Sequence, residues 1–212
     1  MRYRDRAEAG RWLAASIKSA GIDLGDHPLV LGIARGGLPV AAQLAKYFHG
    51  ELDVAVACKI GSPGNPEFAI GAVAAGGDPV LSRDVIEALN ISSDELAVVI
   101  RRAQSEVKHR IGQYRSMRSF PDIKNRVVIV VDDGVATGFT LRATLRSIRD
   151  AGPELLICAV PVGPSDTVSA LRAEADWVVC PYQPSDFHAV GIWYEDFSQL
   201  NDVQVIGMLD ER

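Results

Sequence analysis

Apolar runs punctuate the chain at Leu29 to Ile33, Leu52 to Cys58, Val127 to Val131, Leu155 to Val160 and Trp177 to Cys180, with helix-like polar patterns between them. Val, Ile and Leu dominate the runs, and apolar positions do not alternate with polar ones. Strands buried on both faces read this way, so the pattern predicts an α/β fold with a parallel sheet covered by helices.

The rhythm breaks between the second and third runs. Gly61 to Glu67 is rich in Gly and Pro and reads as a loop, and Ala72 to Leu81 reads as a hairpin turning at Gly76-Gly77. Ser92-Ser93-Asp94-Glu95 offers a capping box for a long helix from Ser93 to Met117. Leu96, Ile100, Ala103, Val107, Ile111 and Tyr114 share one face of that helix. Its charges, Arg101, Arg102, Glu106, Lys108 and Arg110, read as a solvated outer face. The expected organisation is one domain over 1–212, with residues 61–118 as an insertion and Pro121 to Asn125 as the turn into the central strand. An exposed face on the long helix would suit a homodimer.

Composition narrows the partners. With 212 residues, 48% hydrophobic and 23% charged, the chain suits a single substantial core. A net charge of -5 argues against nucleic acid, which normally needs a basic face, and leaves small anions open. Cys58, Cys158 and Cys180 have no metal-type spacing and read as buried thiols in a reducing compartment. No segment approaches the roughly 18 consecutive apolar residues of a membrane helix, so no membrane partner and a cytoplasmic location are expected.

The chemistry concentrates where the third run ends. Val127 to Val131 leads into Asp132-Asp133, which places two carboxylates at the carboxyl edge of the sheet, where open α/β sheets bind ligands. Gly134-Val135-Ala136-Thr137-Gly138-Phe139-Thr140 then turns into a helix with Leu141, Leu145 and Ile148 on its apolar side. Small residues let backbone N–H groups approach an anion, and the hydroxyls of Thr137 and Thr140 can donate to it at a helix N-terminus. The two acids are ill suited to a phosphate and suit a neutral polyol beside it; a single acid here often merely caps the helix, but the aliphatics, two acids and Thr-Gly-x-Thr turn together are less easily explained by capping. No lysine of the Walker type and no G-x-G-x-x-G occurs, which disfavours P-loop and dinucleotide chemistry.

Val128 to Thr140 resembles the thirteen-residue signature of the type I phosphoribosyltransferases and departs from it at Gly134, where an aliphatic residue or serine is usual. The order of elements is also similar to that family, and the whole chain resembles its uncharacterised bacterial branch. The resemblance implies an enzyme of nucleotide metabolism that transfers the phosphoribosyl group of 5-phosphoribosyl 1-diphosphate (PRPP) to a nitrogenous, nucleobase-like acceptor. Pyrophosphate is released, and magnesium is held largely by PRPP and water. Asp132 and Asp133 would hold the ribose hydroxyls, and Val135 to Thr140 the 5′-phosphate.

Ala34-Arg35-Gly36-Gly37, between the first run and a helix carrying Val40, Ala41, Leu44 and Ala45, has glycines that expose N–H groups and an arginine suited to phosphate oxygens. By resemblance it is the pyrophosphate loop, with Lys59 as a second cation at the end of the second run. Arg35, Lys59, Asp132 and Asp133 are therefore the catalytic candidates. Gly61 to Glu67 is similar to the mobile loop that closes over the family's reaction, and Asn65 and Glu67 suit either contact with the substrate or an ordinary loop. His27, His49, His109 and His188 show no ligand spacing.

Family members acting on 6-oxopurines usually carry an aspartate at the place held here by Ala136, which counts against hypoxanthine and guanine. Residues 181–199 are the expected acceptor hood, with Phe187, Val190, Trp193 and Tyr194 as candidate contacts; Phe187, Trp193 and Tyr194 taken singly read more readily as packing residues. Two further readings stand beside the transferase. One is a PRPP- or nucleotide-sensing regulator of the same fold. The other, a magnesium phosphatase using Asp132 or Asp133, is weakened by Gly134 standing where such enzymes place a second aspartate.

Overall fold

Each of the five apolar runs supplies a strand to one parallel sheet. In the computed structural model, which describes residues 2–115 and 119–210, these strands are β1 (Leu29–Ile33), β2 (Glu51–Ala55), β6 (Val127–Val131), β7 (Leu155–Ala159) and β8 (Trp177–Val179). They lie in the order β2-β1-β6-β7-β8, with every pairing parallel. Helices α1 (Arg6–Ser19), α2 (Gly37–Phe48), α5 (Phe139–Asp150) and α6 (Ser165–Leu171) cover the sheet. Val30, Ile129 and Ile157 pack with residues of α1 and α2, whereas Leu31, Val130 and Cys158 pack with residues of α5 and α6. Both faces are thus buried, which explains strands with no polar alternation. The three cysteines are buried free thiols, and burial pushes the Cys180 thiol up to about 12.

The second apolar run is not one strand. Ala55 closes the parallel sheet by accepting from the Ala34 N–H, whereas the Val56 carbonyl accepts from Ala75 N–H. At this point the chain leaves for a second, antiparallel sheet of β3 (Ala57–Ser62), β4 (Asn65–Ala74) and β5 (Val80–Leu81). The hydrophobic sequence runs on unbroken because the chain is buried on both sides of that switch. Lys59 therefore stands within β3, paired with Ala72, and not at the end of a parallel strand.

Gly61 to Glu67, expected as a loop, is mostly strand: Ser62 and Asn65 pair across a tight turn at Pro63-Gly64. The β4–β5 hairpin does turn at Gly76, with Gly71 opposite Leu81. After α3 (Arg83–Ala88) comes α4 (Ser93–Tyr114), opened by a reciprocal Ser92–Glu95 capping box and burying Ala103, Val107 and Tyr114. The helix ends at Tyr114; the expected end at Met117 lies outside the described residues. A 3-10 turn at Val190–Trp193 and α7 (Asp202–Asp210) complete the described chain. No helix of the described residues is long and apolar enough to cross a membrane.

The connectivity creates one distinctive place. From β1 the chain passes through α2 to β2 on one side, and from β6 through α5 to β7 on the other. The strand order reverses between β1 and β6, and the carboxyl ends of these neighbours open a crevice at the switch point.

Candidate functional site

The turn after β1 (Ala34 to Gly37) and the turn after β6 (Asp132 to Gly138) meet at this crevice. Their glycines are set by close packing. A Cβ on Gly36 would overlap Asp133 Oδ2, and one on Gly37 would overlap the Val131 carbonyl and crowd Asp132. A side chain at Gly37 would push the two turns apart, and one at Gly36 would displace the Asp133 carboxylate. Gly134 is equally constrained: a Cβ there would stand 2.6 Å from Val190 Cγ1 and 3.1 Å from Val162 Cγ1. The departure from the usual signature thus has a local cause in Val190, which occupies the space a larger residue would need.

Asp132 faces a cleft of about 580 Å³, a size suited to a small-molecule ligand. Ala34, Lys59 and Thr140 line it with Asp132, and Ser62, Pro66 and Glu67 contribute from the β3–β4 hairpin. The crevice and the second sheet therefore bring Lys59 and Asp132 together although Lys59 reaches the cleft from an unexpected strand. A larger cavity, about 1250 Å³, lies among Val54, Ile111, Phe120 and Ile148 and shares no lining residue with this cleft.

Helix α4 closes the cleft with Val99, Arg102, Ala103, Glu106 and Arg110. Arg102 and Glu106 are exposed, as expected of a solvated face, and with the half-buried Arg110 they also border the cleft. Residues 99, 103, 106 and 110 recur at three- and four-residue steps, so the stripe that packs also carries charge to the cleft. Arg110 Nε bonds Glu106 Oε1 at 2.7 Å. Periodicity could show which residues share a face but not that this face borders a cleft.

The two carboxylates differ in setting. Arg6, the first residue of α1, places its Nε 2.8 Å from Asp133 Oδ2, with both side chains only 12–13% exposed. The same guanidinium lies 4.0 Å from the centre of the Phe197 ring and donates to the Ser198 carbonyl at 2.9 Å. Asp133 N–H donates to Asp132 Oδ1 at 2.9 Å. Burial, and then the neighbouring Asp133, hold the Asp132 carboxyl well above the usual carboxylate range. Burial also raises Asp133, against the opposing charge and hydrogen bond of Arg6. Arg6 is a site residue without a local sequence signal, because 127 positions separate it from its partner.

The remaining expected residues spread around this centre. Arg35 leans toward α7, its Nη1 3.9 Å from Asp202 Oδ1, and Asp202 also accepts from the Tyr114 hydroxyl. Ala136 and Thr137 are exposed on the turn, Val135 is buried, and Gly138 has φ 76° where α5 begins. Phe139 packs with Ala72 and Ala143 under the second sheet.

None of Phe187, Val190, Trp193 and Tyr194 lines the cleft. Val190 packs on Gly134. Tyr194 is 3% exposed and donates its hydroxyl to the Asp133 carbonyl at 2.5 Å, so its ring is a packing element and not a free stacking surface. Phe187 and Trp193 form a half-buried stacked pair, with Tyr182 edge-on to the indole.

Known proteins provide an independent comparison. Residues 5–193 match the phosphoribosyl transferase domain. Proteins from two Mycobacterium tuberculosis strains, each bearing the name "Putative phosphoribosyl transferase", are 38% identical over 208 residues, 98% of this chain and 46% of theirs. The chain thus spans about half the length of these curated relatives. The crystal structure of TT1426 from Thermus thermophilus is 40% identical, covers 100% of this chain and 99% of its own, and superposes with a TM-score of 0.81. A domain match across most of the chain, on a sheet whose switch point carries the acidic turn, places this protein in the phosphoribosyl transferase family.

Proposed function

We propose that the chain binds PRPP across the β1/β6 crevice and transfers its phosphoribosyl group to a nitrogenous, nucleobase-like acceptor. One observation carries this reading: two strand-to-helix turns converge at the switch point, where Asp132 and Lys59 share a cleft. The turn from Val135 to Thr140 would cradle the 5′-phosphate through backbone N–H groups and the Thr137 and Thr140 hydroxyls. Asp132 accepts from a ribose hydroxyl, and Asp133 does so through Oδ1, the oxygen that Arg6 does not hold.

Arg35, Gly36, Gly37 and Lys59 form the pyrophosphate side. Arg35 follows Ala34, which lines the cleft, and would exchange its long contact with Asp202 for phosphate oxygens. As the bond from ribose C1 to the leaving oxygen loosens, positive charge grows on the sugar and negative charge on the departing group. Lys59 and Arg35 would stabilise the latter, and Asp132, which lines the cleft, would face the former. Magnesium would be held largely by substrate oxygens and water, and when bound would neutralise charge on the diphosphate. The β3–β4 hairpin, whose Ser62, Pro63, Pro66 and Glu67 line the cleft, would limit water at the reacting centre, with Asn65 and Glu67 as candidate contacts. Residues 181–199 are proposed as the acceptor hood, with Phe187 and Trp193 as its remaining aromatic surface.

Incubation with PRPP, magnesium and a panel of nitrogenous bases should release pyrophosphate with at least one acceptor. Binding of PRPP with no turnover across the panel would instead favour a sensing regulator.

A further inference from the structure

We propose that Arg6 is a positioning residue for this reaction, fixing the charge and direction of Asp133 so that Asp132 is left as the carboxylate that opens on the cleft. The inference rests on the PRPP reading above and adds a role for the N-terminal helix. Three contacts hold the Arg6 guanidinium from three directions: the Asp133 carboxylate, the Ser198 carbonyl and the Phe197 ring. Arg6 is therefore a largely enclosed, oriented cation and not a surface arginine that happens to meet an acid. Its target is equally fixed. The Asp133 carboxylate occupies the space above Gly36, and its backbone carbonyl receives the Tyr194 hydroxyl. Asp132 differs, since it lines the cleft and accepts from the Asp133 N–H.

Adjacent buried carboxylates resist holding two charges, and without a cation the pair would keep a proton. The groups bearing on the pair are Arg6 from α1, Lys59 from β3, Cys158 from β7, and Tyr194 with Tyr3 beside it. Among these, Arg6 alone is a cation bonded directly to Asp133. Arg6 lies behind Asp133 and does not line the cleft, so it acts through the carboxylate and not on the substrate.

PRPP affinity measured against pH separates this role from simple support of the fold. An opposite charge at this range lowers a carboxyl group by about 1–3 pH units. In Arg6→Gln the acid limb of the affinity profile, taken as a ratio to wild type so that the ligand's own titration cancels, should move up by about that amount. The loss should then be tenfold or more at the acid end and shrink toward alkaline pH. Arg6→Lys, which keeps the charge, should restore most of the shift. A uniform loss at every pH, or a profile unchanged in Arg6→Gln, overturns the proposal. If Arg6→Gln does not fold, a carboxyl ¹³C titration of the wild-type chain decides: Asp133 should ionise below Asp132, and the reverse order overturns the proposal. Failure of the wild type to bind PRPP at any pH would instead count against the PRPP reading itself.

Discussion

Replacing Gly134 by alanine tests why this turn departs from the family's usual signature. Gly134 has no positive φ, so the backbone does not oppose a side chain there, and the whole cost is steric. The new Cβ would sit 2.6 Å from Val190 Cγ1 and 3.1 Å from Val162 Cγ1. Real carbons prefer about 3.5–4.0 Å, so Val190 must retreat by about 1 Å. Val162 is fully buried and cannot yield, whereas Val190 stands half-buried on a 3-10 turn that can shift. Overpacking of this kind costs about 1–3 kcal/mol, and the yielding neighbour favours about 1–2 kcal/mol. In a domain of this size that lowers Tm by about 2–8 °C.

Calorimetric melting should find this loss in Gly134→Ala and recover much of it in the double variant with Val190→Ala. The expected coupling is at least about 0.5 kcal/mol, since the two positions touch. A Gly134→Ala melt equal to wild type, or additive effects in the double variant, would refute the steric explanation.

Two further predictions concern the cleft. Asp132 is held above its usual range by burial, so the folded state keeps its proton more tightly than the unfolded chain does. Stability from this group therefore falls as pH rises from the ordinary carboxylate range through the raised folded value. Asp132→Asn should flatten that decline and raise stability near neutral pH by about 1 kcal/mol, while removing PRPP binding; a destabilised variant in denaturant titrations would contradict it. Arg102 lines the cleft, whereas its neighbour Arg101 does not. Arg102→Ala should weaken PRPP at least about threefold through the lost cation, with Arg101→Ala unchanged in the same fluorescence or calorimetric assay; equal effects would contradict the assignment.

Much of this architecture was legible in the residues. Strands buried on both faces announce themselves as Val, Ile and Leu runs, and the acidic turn after Val131 marks the carboxyl edge of the sheet, whereas the switch point follows only from the strand order. Three features were not legible, each for a physical reason. The break at Val56 is invisible because hydrophobicity reports burial and not which sheet supplies the hydrogen bonds. The cleft-facing charges of α4 look like any solvated stripe until the β3–β4 hairpin is seen opposite them. Arg6 belongs to a helix far from the signature in sequence, and only the folded chain brings it to Asp133. The aromatic positions show the converse limit: Tyr194 has the composition of a stacking residue, but its buried hydroxyl anchors the Asp133 carbonyl.

The central claim is that the β1/β6 crevice is a PRPP site built around Asp132. Calorimetric titration of the wild-type chain with PRPP and magnesium addresses it most directly, with Asp132→Asn alongside. The account predicts saturation of one site per chain in the wild type and no detectable binding in a folded Asp132→Asn. Absence of heat at millimolar PRPP, or equal affinity in the two proteins, would contradict it.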